Sequence, residues 1–197
     1  TFKERHCEHC LKREYVDKET GEVRTVYMHQ VLEAKLVVGD MVFSIGTEFI
    51  ENESEDVSKQ DCELKAFHRL GGKIKEVFPR LPICVLGDSL YACESVFKLC
   101  DEYEWKFLIR YKEGRIRSIA EEFEAIKKIE ETNVSKKDKD GEREDNIFWT
   151  NELSYNERLV NLVEFVDAED GKGEKRYVFI TNIKVTKKNA QALVAAG

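Results

Sequence analysis

From Val26 to Val38 apolar and polar positions alternate. Val26, Met28, Leu32, Ala34 and Leu36 fall on one face, and Tyr27, His29, Glu33 and Lys35 on the other. A period of two predicts a β-strand. Gly39-Asp40 then carries a hairpin-type turn signal. Met41 to Ile50 predicts a second strand, with Met41, Phe43 and Ile45 on one side and Val42, Ser44, Glu48 and Ile50 on the other. So short a connection makes the pair antiparallel. Residues 1–25 are polar and charged, with a turn signal at Glu19-Thr20-Gly21.

Beyond the polar loop from Asn52 to Lys59 the period lengthens. Ala66, Phe67, Leu70, Ile74 and Val77 recur at helical spacing. They predict a helix from about Asp61, capped by Ser58 or Gln60. Gly71-Gly72 interrupts this pattern, at about 1 kcal/mol per glycine. Pro79 and Pro82 end the element. A short apolar run, Ile83 to Leu86, reads as a buried strand and stops at Gly87-Asp88. Ser89 to Glu102 predicts a helix striped by Ala92 or Cys93, Val96, Phe97 and Cys100.

Trp105 to Lys112 alternates again, with Trp105, Phe107, Ile109 and Tyr111 opposed to Lys106, Leu108, Arg110 and Lys112. Ile116, Ile119, Ala120, Phe123 and Ile126 mark a further helix. Thr132 to Asn146 reads as a solvated, charged loop. Strands follow at Ile147–Thr150, Arg158–Val166 and Lys175–Ile183, the last two joined by a hairpin loop, and a short helix runs from Thr186 through Ala195. Hairpins followed by alternating strands and helices predict an α/β fold with a mixed sheet.

Composition narrows the picture. A chain of 197 residues with 42% hydrophobic content can fill one substantial core, or a core plus a small appendage. No apolar run nears the roughly 20 residues that span a bilayer, and no leader pattern opens the chain, so a cytoplasmic, reducing location is expected. Cys62, Cys84, Cys93 and Cys100 then read as small core hydrophobes. The net charge of -7 argues against a generally basic surface, although 32 Lys and Arg leave room for a local one.

Asp88 is the leading candidate for chemistry. Ligands gather at the carboxyl ends of strands in open α/β sheets, and a carboxylate there suits Mg²⁺ or Mn²⁺. The structural alternative is that Asp88 caps the next helix. Glu63 interrupts the apolar stripe of its helix and could be an auxiliary acid, or be solvated, or pair with Arg69. Glu48 has the same ambiguity within its strand. Lys106, Arg110 and Lys112 share a strand face that could meet a phosphate backbone or simply guard a sheet edge. Tyr91 reads as an anchor for the helix after Asp88. Cys7 and Cys10 have C-x₂-C spacing, for which His29, His6 or His9 could complete a Zn²⁺ site, against resting thiols near a terminus. No Ser-His-Asp order, Walker loop or dinucleotide glycine pattern is present.

Several phrases occur in a telling order: His6-Cys7 to Cys10-Leu11, Tyr27-Met28-His29, Thr47 to Asn52, Gln60 to Leu70, Pro79 to Ala92, Trp105-Lys106-Phe107, Lys112-Glu113-Gly114 and Phe179 to Ile183. In this order they resemble the transposases of bacterial insertion sequences with a DDE catalytic core. The resemblance implies a ribonuclease-H-like mixed sheet flanked by helices, with a β-rich insertion near the C-terminus. It implies a partial core over residues 1–131, a charged loop and β-rich insertion over 132–185, and the start of a C-terminal helix over 186–197. Asp88 stands where the family carries the second of three metal-binding acids. Mg²⁺ or Mn²⁺ as cofactor, transposon-end DNA as partner and a homodimer are implied with it. The first acid would precede Thr1, and the third, on a helix in a Trp-Lys-Ile-Glu-like phrase, would follow Gly197. The chain is therefore expected to be a fragment of a DNA transposase, inactive alone. Two other readings stand beside it: a non-catalytic binding module or remnant keeping the fold, and an unrelated α/β protein with a structural zinc at Cys7 and Cys10.

Overall fold

The polar N-terminal stretch contains a β-ribbon that its composition concealed. In the computed structural model, which describes residues 10–50, 59–112, 116–129, 135–137, 143–169 and 173–197, β1 (Leu11–Val16) pairs antiparallel with β2 (Val23–Met28). Their turn is set by Asp17, whose Oδ1 accepts the amides of Glu19 and Thr20 at 2.8 and 2.9 Å, and by Gly21 at φ +71°. Tyr15, Val16 and Val23 are all exposed, so no alternating pattern marked these strands. The strand expected over Val26–Val38 is interrupted at His29, giving β2 and then β3 (Gln30–Val38).

The two-residue turn at Gly39-Asp40 joins β3 to β4 (Met41–Ile50), and Gly39 adopts φ +58°. A bulge shifts the pairing: Ala34 faces Gly46 while Lys35 faces Ser44, leaving Ile45 as the extra residue. A bulge reverses which side chains face inward. Met41 and Phe43 thereby share a face with Glu48 and Ile50, but only Glu48 and Ile50 are buried, while Met41 and Phe43 are exposed towards the turn.

Helix α1 (Lys59–Val77) packs on β4, burying Ala66, Leu70 and Ile74. It runs straight through Gly71-Gly72, the expected interruption. Gly71 is buried, and tertiary packing outweighs a propensity cost of about 1 kcal/mol per residue. Gly46 permits the close approach of helix and strand, since a Cβ there would sit 2.8 Å from Leu70 Cδ1. These elements belong to one compact unit, Thr1–Leu81, and the remainder, Pro82–Gly197, forms a second.

The second unit is built on β5 (Cys84–Gly87), α2 (Glu94–Glu102), β6 (Lys106–Tyr111), α3 (Arg117–Lys127), β7 (Ser135–Lys137), β8 (Arg143–Tyr155), β9 (Arg158–Glu169), β10 (Gly173–Thr181) and α4 (Ala190–Ala196). Six strands make one mixed sheet in the order β5-β6-β10-β9-β8-β7. β5 and β6 are parallel, and the other pairs are antiparallel. The α/β class with a mixed sheet therefore holds. The C-terminal strands expected as an inserted block instead continue the β5–β6 sheet, through β10 against β6. The two compact units divide after Leu81. Much of the expected loop from Thr132 to Asn146 lies outside the described residues, although β7 falls within it.

Both faces of this sheet are covered. On one, Phe97 of α2 stacks on Phe107 at 4.6 Å, and Phe123 of α3 meets Phe148 edge-on at 5.3 Å. On the other, Leu108, Trp149, Val163 and Phe179 pack with Ala190 and Leu193 of α4. Leu108 thus belongs to the core, not to a solvated face as its lysine neighbours suggested. Where β10 leaves the sheet, Asn182 accepts the Phe107 amide and donates to the Trp105 carbonyl, both at 3.0 Å. Asn151 and Asn161 hold the Val185 and Ile183 backbones in the same way.

One charge lies wholly inside. Glu164 on β9 is fully buried between the sheet and α3, ion-paired with Lys127 and Arg176, while Arg176 also pairs with Glu124. Removing one partner from such a cluster leaves the others uncompensated. Glu164→Ala should destabilise the second unit by about 3 kcal/mol in urea unfolding, and Glu164→Gln by less; an Ala variant as stable as the parent would refute this account.

Candidate functional site at the carboxyl end of β5

β5 runs parallel to β6, from Cys84 opposite Lys106 to Gly87 opposite Ile109. Asp88 is the first residue beyond it. Its Oδ1 accepts the Leu90 amide at 2.8 Å, and its backbone carbonyl accepts the Tyr91 amide at 3.1 Å. These bonds make an Asx turn, which orients the carboxylate while leaving the residue exposed. The expected helix start at Ser89 is displaced: α2 begins at Glu94, behind an extended Cys93 with no side-chain capping bond. Asp88 is therefore not the cap of that helix.

Tyr91 holds the turn in place. It is buried, and its ring lies over Gly87, where an added Cβ would be 3.1 Å from Tyr91 Cδ2. Glycine here makes room for the ring. The expected buried strand is in fact an edge strand: β5 pairs with β6 alone among the described strands, and Leu86 is 48% exposed. The cysteines divide likewise. Cys84 is exposed on that edge and Cys93 is half-buried, while burial, with Asp101 and Cys84 behind it, pushes the buried Cys100 thiol up to about 12. The side chain of Cys62 lies outside the described residues.

Helix α2 is fixed behind the turn by Arg158, a residue the periodicity did not single out. Its guanidinium donates to Glu94 at 2.9 Å and to Asp101 at 2.6 Å, and lies over the Phe97 ring. Burial pushes the Glu94 carboxyl upward, but Asn156, Arg158 and Lys98 outweigh it and hold the group below the ordinary range.

The basic row is uneven. Lys106 and Lys112 are exposed. Arg110 is half-buried, stacked over Tyr177 at 4.4 Å and Phe179 at 5.3 Å, and donates to the Arg176 carbonyl at 3.2 Å. With Asp167 and Gln191 these residues line a cavity of about 590 Å³ on the α4 side. Sequence order gave no sign of this grouping, because it depends on the β6–β10 register. The cavity pairs a guanidinium with two aromatic rings, a surface suited to flat or anionic groups.

Glu48 and Glu63 lie in the first unit. The Glu48 carboxylate is spanned by two cations, with Arg69 Nε at 2.7 Å and Lys73 Nζ at 2.5 Å. Arg69 also donates to the Phe49 carbonyl at 2.9 Å, so the partner anticipated for Glu63 is engaged by Glu48. Glu63 itself is half-buried on α1. Of the candidate zinc ligands, Cys7 lies outside the described residues, and the structure brings Cys10 Sγ within 3.2 Å of His29 Nε2. Among the described residues no three His, Cys, Asp or Glu side chains gather as a metal site. No model of a known protein family and no curated protein matches this chain.

Lys73 first, and Arg69 next, hold the Glu48 carboxyl below its ordinary range. A depressed carboxyl stabilises the fold above its unfolded value, about 4.3, and that contribution is lost as pH falls through the folded value. The urea midpoint of the first unit should therefore drop between roughly pH 5 and 3, and Glu48→Gln should flatten that slope. An unchanged slope in the Gln variant would assign the acid sensitivity elsewhere.

Proposed function

We propose that this chain is part of the catalytic core of a DNA transposase of the three-acid kind, with Asp88 as one of the acids. The reading draws on the ordered phrases that resemble insertion-sequence transposases. The observation that carries it is the exposed Asp88 carboxylate at the carboxyl end of a strand in a mixed, parallel-containing α/β sheet. That is where such sheets present ligand-binding groups. The ribonuclease-H-like arrangement belongs to the same proposal, supported by β5 and β6 running parallel with α2 between them.

Asp88 fits Mg²⁺ or Mn²⁺ in donor type, a hard oxygen held in orientation by the Leu90 amide. One carboxylate does not hold such an ion alone, and no phrase matching the family's first or third acid stands in this sequence. The chemistry such ions supply is activation of a water or 3′-hydroxyl and stabilisation of the leaving oxygen during in-line phosphoryl transfer. The chain's own contributions are more limited. Asp88 offers a ligand, Gly87 and Tyr91 fix the turn that presents it, and Arg158 secures the helix behind. Lys106 and Lys112, exposed on β6 and just after it, are the cations offered to a DNA backbone. A transposon end is the proposed partner, and a homodimer is part of the same reading. No helix among the described residues is long and apolar enough to cross a membrane.

The test uses the longer reading frame that contains this chain, assayed for Mn²⁺-dependent cleavage of its own element's ends. Asp88→Asn should lower cleavage well beyond the roughly 100-fold that outer-shell changes cost, with DNA binding retained. The 197-residue chain alone should show no turnover. Cleavage unaffected by Asp88→Asn would leave the non-catalytic module as the better reading. Robust nicking by the isolated chain, abolished by Asp88→Ala, would refute the assignment as an inactive fragment.

A further inference from the structure

The β3–β4 hairpin has two unlike faces. Leu32, Ala34 and Leu36 alternate inward, and Leu32 packs with the cluster of Leu11, Ile50 and Ala66. Val31, Glu33, Lys35 and Val37 form the opposite row along β3, and all four are exposed. The register sets Phe49 beside Val31, Thr47 beside Glu33, Ser44 beside Lys35 and Val42 beside Val37. These four are exposed as well. Cross-strand partners share a face, so the outer face is apolar at both ends with an acid and a base between them. Exposed apolar groups gathered on one face mark a contact surface. Among the described strands β3 and β4 pair only with each other.

We propose that this outer face is where two copies of the chain meet, hairpin over hairpin, in a closed two-fold dimer. Along β3 the row reads apolar, acid, base, apolar. A two-fold axis lying in the interface, across the strands between Glu33 and Lys35, turns that row end for end. Each Glu33 then opposes Lys35 of the second copy. Val31 with Phe49 opposes Val37 with Val42. The face is thus its own complement in charge, whereas a row of one sign would repel its own copy. Sheets stacked this way lie about 10 Å apart with their side chains interleaved.

Within one copy Lys35 Nζ lies 3.4 Å from Glu33 Oε2, with both side chains exposed. Such a pair adds little to the monomer's stability, so both charges remain available to a second copy. Ser44 first, and then Lys35, hold the Glu33 carboxyl below its ordinary range, which keeps the acid ionised at neutral pH. The eight side chains, each about half exposed, offer on the order of 600 Å² per copy, against about 800 Å² in a standard interface. The dimer is therefore a weak one, with a dissociation constant of micromolar order. A homodimer already stands in the reading of Asp88, but this surface belongs to the first unit and rests on the hairpin alone. A failed cleavage test leaves it standing, and a monomeric chain leaves the acid untouched.

The test is sedimentation velocity of the whole chain across the micromolar range, up to about 0.5 mM. The parent should pass from monomer to dimer and go no further, because a closed pair uses up the face. Glu33→Lys and Lys35→Glu each give the row a single sign, and each should weaken dimerisation more than about 10-fold. An equimolar mixture of those two variants should recover a dimer, one copy of each, at least as tight as the parent's. Lys187→Glu, an exposed charge reversal in the second unit, should leave association unchanged. If either charge variant fails to fold, Val42→Ser reads the same face and should weaken the dimer several-fold. A parent that stays monomeric or grows beyond a dimer, face variants that associate as the parent does, sensitivity to Lys187→Glu equal to that at Lys35, or a mixture that forms no dimer would each overturn the proposal.

Discussion

The second unit is organised by the need to bury both faces of its central strands. Phe107 and Ile109 point one way from β6, and Leu108 points the other, yet all three are buried. Such a strand cannot lie at a surface. It requires α2 and α3 on one face and α4 on the other, and it requires a neighbour along each edge. β10 supplies one neighbour and β5 the other. β5, with only one pairing edge among the described strands, is left at the margin, and Asp88 follows at its end. The exposure of the candidate acid is thus a consequence of core packing further into the sheet.

Charge inside the protein serves mainly to tie elements together. Glu164 joins β9 to α3 and β10, Arg158 joins β9 to α2, and Glu48 joins β4 to α1. Each carboxylate has two cationic contacts or each guanidinium two anionic ones, which is the condition under which buried charge is tolerated. These ties alter how the net charge of -7 bears on DNA contact. Arg69, Arg158 and Arg176 are engaged by carboxylates of their own unit and are not open cations of the surface.

Much of this was legible where one residue type decides the local structure. Gly39-Asp40 declared the hairpin, the stripe through Ile119 and Phe123 declared α3, and Ile83 to Leu86 located β5 to within one residue. Legibility failed where partners decide. The β1–β2 ribbon is held by an Asp17 turn and buries only its end at Leu11 and Met28, leaving Tyr15, Val16, Val23 and Tyr27 exposed, so no period-two burial runs along it. The bulge at Ile45 inverts a face halfway along β4, and Gly46 beside it was the one local signal, an isolated glycine inside a strand pattern. Leu108 looked solvated because its sequence neighbours are basic, and only α4 packing shows otherwise. The candidate acid was visible as a carboxylate ending an apolar run, but its Asx turn was not. α2 starts late, at Glu94, after a turn in which Tyr91 lies over Gly87.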